Sequence, residues 1–515
     1  MSSVHPTPSK SVNTSRESGP TVAIVGGGLA GLAAACSLSE GGFRVTLFER
    51  RPYLGGRASS YEHPGTGEVV DNCQHVLFGL CTNLIAFYKK IGIEDKIRWF
   101  DSMTFVEPAG RRSVLEPSFL PAPFHVAPSF LGLKFLNTWD KVVLSRALSA
   151  LIFSQPKDDG SSFQEWLQRH HQTHNAIERF WKPILVSALS EDLDRIAVPY
   201  AAQVVRESMK SSEARAMGIP SVPLSELYNA AKDYIMNHGG TVRLRNSVQS
   251  FLPTEKGVRL KLQDSEEEFD YAVLAVPFDS LAKLLPDSAD SQDLREKLSH
   301  FETSPITGVH LWFDRQITDL PHAVLLDRTI QWMFHKSMLL AKSLDSALKA
   351  GENGVPKIRG GPNKDRPNKA RPDQDRPDQD RPIEDRPSYV ELVISASKSL
   401  IDKSRQEIID LALSELREFF PAARDAKLIK ATVIKEVNAT FSPTPGIDRY
   451  RPPTQSPWPH IFLAGDWTAT GWPATMEGAV RSGYMAAREL AKYAGVARNL
   501  LVPDLPSAGF MRILG

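Results

Sequence analysis

The sequence predicts an α/β fold organised on a parallel sheet, and three observations carry that prediction. The first is the stretch TVAIVGGGLAGLAAACSLSEGGFRVTLFE at positions 21–49. Thr21–Val25 is a short apolar, β-branched run of the kind that makes a buried parallel strand. Gly26, Gly28 and Gly31 follow as G-x-G-x-x-G, an alanine-rich helical stretch comes next, and Arg44–Phe48 makes a second strand that Glu49 ends. The second observation is the apolar run Ile461–Ala464, which leads into Gly465-Asp466 at the carboxyl end of a strand, where ligands bind in α/β sheets. The third is length: 515 residues exceed one core and predict at least two subdomains.

Each part of the first stretch has a physical task. Gly26 allows a sharp turn, Gly28 lets backbone N–H groups approach a pyrophosphate at the helix N-terminus, and Gly31 lets helix and strand touch. Glu49 is placed to accept hydrogen bonds from ribose hydroxyls. Strand, glycines, helix and acidic strand end together constitute the dinucleotide-binding fingerprint, which a lone glycine motif would not.

Composition narrows the class. The 42% hydrophobic content is that of a globular protein, and the net charge of +1 gives no field that would attract nucleic acid. Cys36, Cys73 and Cys81 are too few and odd in number for a disulfide framework, which predicts a reducing, cytoplasmic setting. Residues 1–20 are rich in Ser, Thr and Pro without the apolar core of a signal peptide, and are expected to be a disordered tail. No uninterrupted apolar run of 18 residues occurs, so no spanning helix is expected.

After Glu49 comes Gly55-Gly56-Arg57. The twin glycines let backbone approach a cofactor, and the Arg57 fork can neutralise phosphate charge. With Glu49 six residues before Gly55, the chain at this point resembles the flavin amine oxidase and carotenoid desaturase superfamily. That resemblance implies FAD as cofactor and a Rossmann-like, GR2-type FAD-binding domain assembled from residues 21–100, 215–285 and 430–495. It implies an interleaved α+β substrate domain from 101–214 and 286–429, with 496–515 as a C-terminal tail. It also places the Val248 backbone against the adenine.

In VVDNCQHVLFG, at 69–79, Asp71, Gln74 and His75 are polar among apolar neighbours. They read either as buried turn residues or as chemistry. His75 is the better catalytic candidate because imidazole titrates near neutral pH, and Asp71 is the weaker one. Pro117–Phe130 reads as an irregular apolar loop. Gly132–Phe153 reads as a helix with Leu136, Trp139, Val143 and Ala147 at helical spacing. Core packing is favoured for it; an interfacial helix that admits an apolar substrate from lipid is the alternative. His170, His171 and His174 lie in a polar stretch that reads as a solvated helix end rather than a metal site. Short strands are expected at Thr241–Arg245, Ser247–Leu252, Val258–Leu262 and Tyr271–Pro277. Asp365–Pro387 repeats DRPxx-type pentapeptides, which forbid helix and ladder and predict a disordered insertion across about 360–388.

In IFLAGDWTATGWPATMEGAVRSGYMAA, Asp466 is placed to hydrogen-bond the ribityl or pyrophosphate region. A helix carrying Met476, Glu477, Gly478 and Ala479 would direct its positive end at the flavin N1 and O2. Gly478 and Gly483 are costly inside a helix and are expected to permit close cofactor packing. DNCQHVLFG and GDWTATGWPATMEGAVRSG together most resemble the hydroxysqualene dehydroxylase family of bacterial hopanoid synthesis, although that family does not generally carry the pentapeptide insertion. The resemblance implies reductive removal of an allylic hydroxyl from hydroxysqualene. It further implies a long apolar isoprenoid substrate, squalene-pathway synthases upstream, and peripheral contact with the inner face of the cell membrane. The alternatives on this fold are a carotenoid or phytoene desaturase, an amine oxidase, and a non-enzymatic isoprenoid carrier.

Overall fold

The strand Thr21–Val25 lies at the centre of a five-stranded parallel sheet in the computed structural model, which describes residues 19–154, 156–340, 386–496 and 498–513. The strand order is Thr241–Leu244, Arg44–Glu49, Thr21–Val25, Tyr271–Leu274, Ile461–Leu463. Val22–Val25 is buried on both faces, Val22 and Ile24 packing with helix Leu29–Glu40 and Ala23 and Val25 joining a core with Phe251, Val258, Leu260 and Phe269, which is why the strand reads as a continuous apolar run rather than an alternation. Helices Leu29–Glu40 and Met476–Tyr493 pack against one another beside this sheet. Their contact explains Gly483: a Cβ there would strike the Ala30 carbonyl, so the glycine serves helix–helix approach. A Cβ on Gly478 would come within 2.7 Å of the Pro473 carbonyl, so this glycine serves the turn into its own helix. The expectation that both pack on the cofactor is corrected accordingly.

A three-stranded antiparallel ribbon, Ser250–Thr254, Gly257–Lys261 and Glu266–Phe269, is inserted before the fourth strand of the parallel sheet. The expected strand at 247–252 therefore begins later than its apolar residues suggested.

The second unit is a seven-stranded sheet in the order Leu428–Phe441, Thr303–Phe313, Ser388–Ser395, Trp332–His335, His322–Leu325, Met103–Val106, Arg112–Leu115. Its pairs are antiparallel except that His322–Leu325 runs parallel to Met103–Val106. Period-two alternation divides the side chains. Val309, Leu311, Met333, Val390 and Leu392 face helix Arg405–Phe419 and form one core with Leu416 and Phe419. Trp332, Phe334 and Val393 point the other way, into a cavity. Opposite them lies a helical layer: Thr138–Phe153, Phe163–Arg169, a π-helical turn Ile177–Trp181 running into Lys182–Leu189, and Val198–Met209. The π turn brings both Phe180 and Trp181 to the cavity wall.

Several expectations are adjusted. The helix expected from 132 begins at Thr138, capped by Asn137 in a box with Asp140. Leu136 is buried ahead of it, Val143 and Ala147 pack inward, and Trp139 is 61% exposed. The boundary expected at 430 falls inside strand Leu428–Phe441 of the larger sheet. Residues 496–515 do not hang free where described. Val502 exchanges hydrogen bonds with the Asn83 side chain, Phe510 N–H donates to the Ala122 carbonyl, and Met511 is buried. His170, His171 and His174 are exposed, and among the described residues no group of three His, Cys, Asp or Glu could hold one metal ion. Residues 1–18 and 341–385, which contain nearly all of the expected tail and pentapeptide insertion, lie outside the described residues. The strand that follows starts at Ser388, the last residue assigned to that insertion.

Candidate functional site: a flavin cradle opening into an apolar cavity

One cavity of about 680 Å³ runs from the carboxyl ends of the parallel strands to the face of the large sheet that carries Trp332, Phe334 and Val393. Its first lobe is floored by backbone. The two glycine motifs bridge each other, with Gly55 N–H donating to the Gly27 carbonyl at 2.9 Å and Gly28 pairing with Gly55. Gly26 adopts φ +110°, and a Cβ there would meet the Ala275 carbonyl at 2.5 Å. Gly56, at φ +63°, lies 3.0 Å from the Gly28 Cα measured from its own notional Cβ. Only glycine lets these two loops meet and still leave room for a ligand.

Glu49 borders this floor. Its Oε2 accepts from Gly27 N–H at 2.7 Å and its Oε1 from Arg51 N–H at 2.8 Å, which fixes the carboxylate at the strand end. Val248 lines the same lobe beside Asn246 and Ser247. Arg57 and Asp466, brought from opposite ends of the chain, form an ion pair at 2.7 Å, and Arg57 also donates to the Ala439 carbonyl at 2.8 Å. Burial works against the Arg57 charge, but the neighbouring Asp466 carboxylate more than offsets it and holds the guanidinium above its usual pKa. Gly465, Asp466, Met476, Glu477 and Ala479 all line the cavity.

Two of the expected cofactor residues, Gly31 and Gly478, lie behind the wall, each at a close backbone approach. Glu477 borders the cavity, yet its carboxylate is turned elsewhere. It accepts from Asn83 N–H at 3.2 Å, Leu84 N–H at 2.8 Å and Arg481 Nε at 2.7 Å. It thereby caps the N-terminal end of helix Thr82–Lys90 and ties it to the Met476–Tyr493 helix. The Met476–Tyr493 helix is itself capped by Thr475, whose hydroxyl accepts from Gly478 N–H at 3.1 Å.

The second lobe is apolar, with Phe78, Phe180, Trp181, Trp332, Phe334 and Trp472 among its rings. Trp332 and Phe334 stack at 5.5 Å between centroids. His75 stands on the wall where the lobes meet the 72–76 segment. Its Nδ1 lies 2.7 Å from the Cys73 carbonyl. A carbonyl only accepts, so Nδ1 carries the hydrogen and the neutral ring offers Nε2 as an acceptor. Burial lowers the His75 pKa below its usual value, and the Cys73 carbonyl and Asp71 offset this only in part.

Asp71, the weaker catalytic candidate, is not on the cavity wall. It is buried in a polar cluster behind the segment, where Lys336 Nζ donates to its Oδ2 at 2.6 Å and to Gln74 Oε1 at 2.8 Å. Ser60 Oγ and Leu224 N–H also donate to Asp71. Burial would raise its pKa, but Lys336 holds it below the ordinary carboxylate range. Glu391, 3.4 Å from the same ammonium, is pushed up to about 7 by burial, which Lys336 offsets only in part. One ammonium thus serves two carboxyl groups, and the cluster fixes the backbone from which His75 projects. We correct the expectation for Asp71: it positions the segment instead of touching the reacting atoms. Lys336 and Glu391 were missed in sequence; the only signal was a lysine ending the apolar run WMFHK.

The three cysteines are free, buried thiols. Cys73 and Cys81 line the cavity, and burial raises both pKa values strongly.

The chain matches the flavin containing amine oxidoreductase family over residues 29–491 and belongs to that family. It is 27% identical over 490 residues to a 15-cis-phytoene desaturase of Synechococcus elongatus, covering 91% of this chain and 95% of the relative. It is 26% identical to a probable zeta-carotene desaturase of the same organism, covering 92% and 99%. Among solved structures, an oxidoreductase from Methanosarcina mazei superposes with a TM-score of 0.65 at 16% identity, covering 90% of this chain and 98% of that one. Wild-type putrescine oxidase bound to putrescine gives 0.64 at 17% identity, covering 92% and 99%. The protein is a FAD-dependent oxidoreductase of the amine oxidase and carotenoid desaturase class. The glycine floor, Glu49 and the Arg57–Asp466 pair are the residues that would hold the dinucleotide, and the helix start at Met476 and Ala479 would meet the flavin end.

Proposed function

We propose that the protein removes the allylic hydroxyl of hydroxysqualene reductively, giving squalene. Bound FAD in its reduced form supplies the hydride; a proton leaves with the hydroxyl as water, so that an alcohol, a hydride and a proton give hydrocarbon and water. The observation that carries this reading is the single imidazole, among the described residues, on the wall of a largely apolar cavity. His75 is held through Nδ1, and Nε2 has no partner among the described residues. In its neutral form Nε2 accepts from a substrate hydroxyl and orients it; once protonated, the same atom donates as the C–O bond breaks. The aromatic lobe takes the hydrocarbon chain, excludes water and faces any developing allylic cation with ring surfaces.

Desaturation of a carotenoid precursor is the second reading, and the two curated relatives named above favour it. A desaturase has no leaving hydroxyl to serve, so a partnerless His75 has no task in it. The deciding experiment incubates flavin-reduced protein with hydroxysqualene, and oxidised protein with phytoene. Squalene from the first supports dehydroxylation; dehydrogenated carotenoid from the second alone overturns it.

Access from a lipid surface belongs to the same proposal. Phe119, Phe124, Leu131, Trp139, Phe510 and Ile513 are exposed apolar side chains, with the Phe124 and Phe510 rings 6.0 Å apart. Among the described residues no helix is long and apolar enough to cross a membrane. Co-sedimentation with liposomes that falls when Phe119 and Trp139 become Ser supports peripheral contact; unchanged sedimentation removes it.

A further inference from the structure

We propose that Arg215 seats the anionic head of an apolar-tailed ligand whose chain lies in the cavity. Arg215 stands on the link between helix Val198–Met209 and strand Met217–Pro220. Its backbone is fixed there, because Gly79 N–H donates to the Ala216 carbonyl at 2.9 Å and Leu80 N–H to the Ala214 carbonyl at 3.3 Å. The side chain lines the cavity among Phe78, Leu80, Met103, Leu115 and Met209. Its Nη1 is enclosed without any acceptor among the described residues.

Of the other cavity arginines, Arg50 is exposed to solvent and two are partnered. Arg57 is paired with Asp466, and Arg51 donates to the Gly56 carbonyl at 3.0 Å. The nearby Glu207 is committed to Lys210 at 2.7 Å. Among the described residues no carboxylate acts on Arg215; burial pushes it down to about 10, so it is still a cation at neutral pH. His125 reports the same imbalance. It is 1% exposed, neither ring nitrogen has a partner among the described residues, and burial together with the Arg215 charge pushes it down to about 4. An unpaired cation is among the costliest groups to bury, and an unmet planar fork matches a carboxylate or phosphate. The apolar surroundings fix the rest of the ligand as hydrocarbon. Neither reading of the reaction uses this group.

The test is calorimetric titration of the FAD-loaded protein with two pairs of probes: dodecanoate against 1-dodecanol, and farnesyl diphosphate against farnesol. The anionic member of at least one pair binds the wild type about 10-fold or more tightly than its alcohol. Arg215→Met removes that preference and leaves the alcohols unchanged, while Arg215→Lys retains part of it. The pair with the larger preference identifies the head as carboxylate or phosphate. Equal binding of acid and alcohol by the wild type, or a preference that survives in Arg215→Met, overturns the proposal. A thermal unfolding scan separates a structural role: Arg215→Met melts at or above the wild-type temperature, and a marked fall would reveal a partner within the fold and overturn it.

Discussion

Replacing Lys336 by Met tests whether the buried cluster behind His75 is held by one shared cation. In the native protein the ammonium lies 2.6 Å from Asp71 Oδ2 and 3.4 Å from Glu391 Oε2. Removing one member of a buried pair leaves a charge without compensation and costs about 3–5 kcal/mol. The cost depends on pH, and its sign follows from the shifts. Asp71, held below its usual pKa, contributes stability above the unfolded value of about 4 that is lost in acid. Glu391, raised to about 7, binds more protons folded than unfolded, so its contribution falls as pH rises from about 4.5 to 7. Without Lys336 both carboxyl groups are raised. They are easily protonated in mild acid and hard to ionise in base. Urea unfolding followed by flavin release should therefore show the full loss at about pH 8 and a clearly smaller one at about pH 5.5. Adding Asp71→Asn to the variant should restore most of the stability, because both charges of the pair are then gone. A variant as stable as the wild type at about pH 8, or one equally weakened at both values, would refute the shared-cation account.

Three further outcomes follow from the site. Glu49→Ala should weaken FAD binding by roughly 10-fold or more in a fluorescence titration, because it removes the proposed ribose acceptor and frees Gly27 N–H; unchanged affinity would remove the fingerprint's acidic residue from the site. His75→Ala should keep FAD and slow dehydroxylation by about 10²–10⁴-fold. Wild-type turnover should fall as pH rises toward neutrality, since burial lowers the imidazole pKa and the donor form is lost early. Gly483→Val should push helices Leu29–Glu40 and Met476–Tyr493 apart and lower the melting temperature even with saturating FAD, whereas a glycine packed only on cofactor would be rescued by it.

What could be read in the sequence was whatever depends on backbone close to backbone. Gly26, Gly55 and Gly56 are forced to be glycine by local conformation, so together with the strand, helix and acidic strand end around them they exposed the dinucleotide lobe, and the resemblance they carry implied FAD. Gly483 was visible as an anomaly, but its cause was not, because Ala30 lies at the other end of the chain. The same holds for the polar cluster: Asp71 and Lys336 are 265 residues apart, and nothing local marks one as the other's partner. Asp71 therefore looked like a reagent when it is an anchor. Glu477 misled for a related reason. Its place at a helix start suggested a flavin contact, while its carboxylate caps a second helix that periodicity could not bring alongside. Trp139 was read inward because the helix was begun too early, before the Asn137 cap.

The central position of Thr21–Val25 sets a timetable for the protein's synthesis. One neighbour, Arg44–Glu49, leaves the ribosome almost at once, but the other, Tyr271–Leu274, is made some 250 residues later. At roughly 5–20 residues per second that is a wait of about 10–50 s. The edge strand Ile461–Leu463 and the helix that meets Ala30 arrive only near the end of translation. During that interval the nascent strand exposes an unpaired apolar edge, and the FAD cradle cannot close around the nucleotide. Flavin loading into this cradle thus waits for chains that are nearly finished, and the early strand is a segment that a chaperone would cover meanwhile.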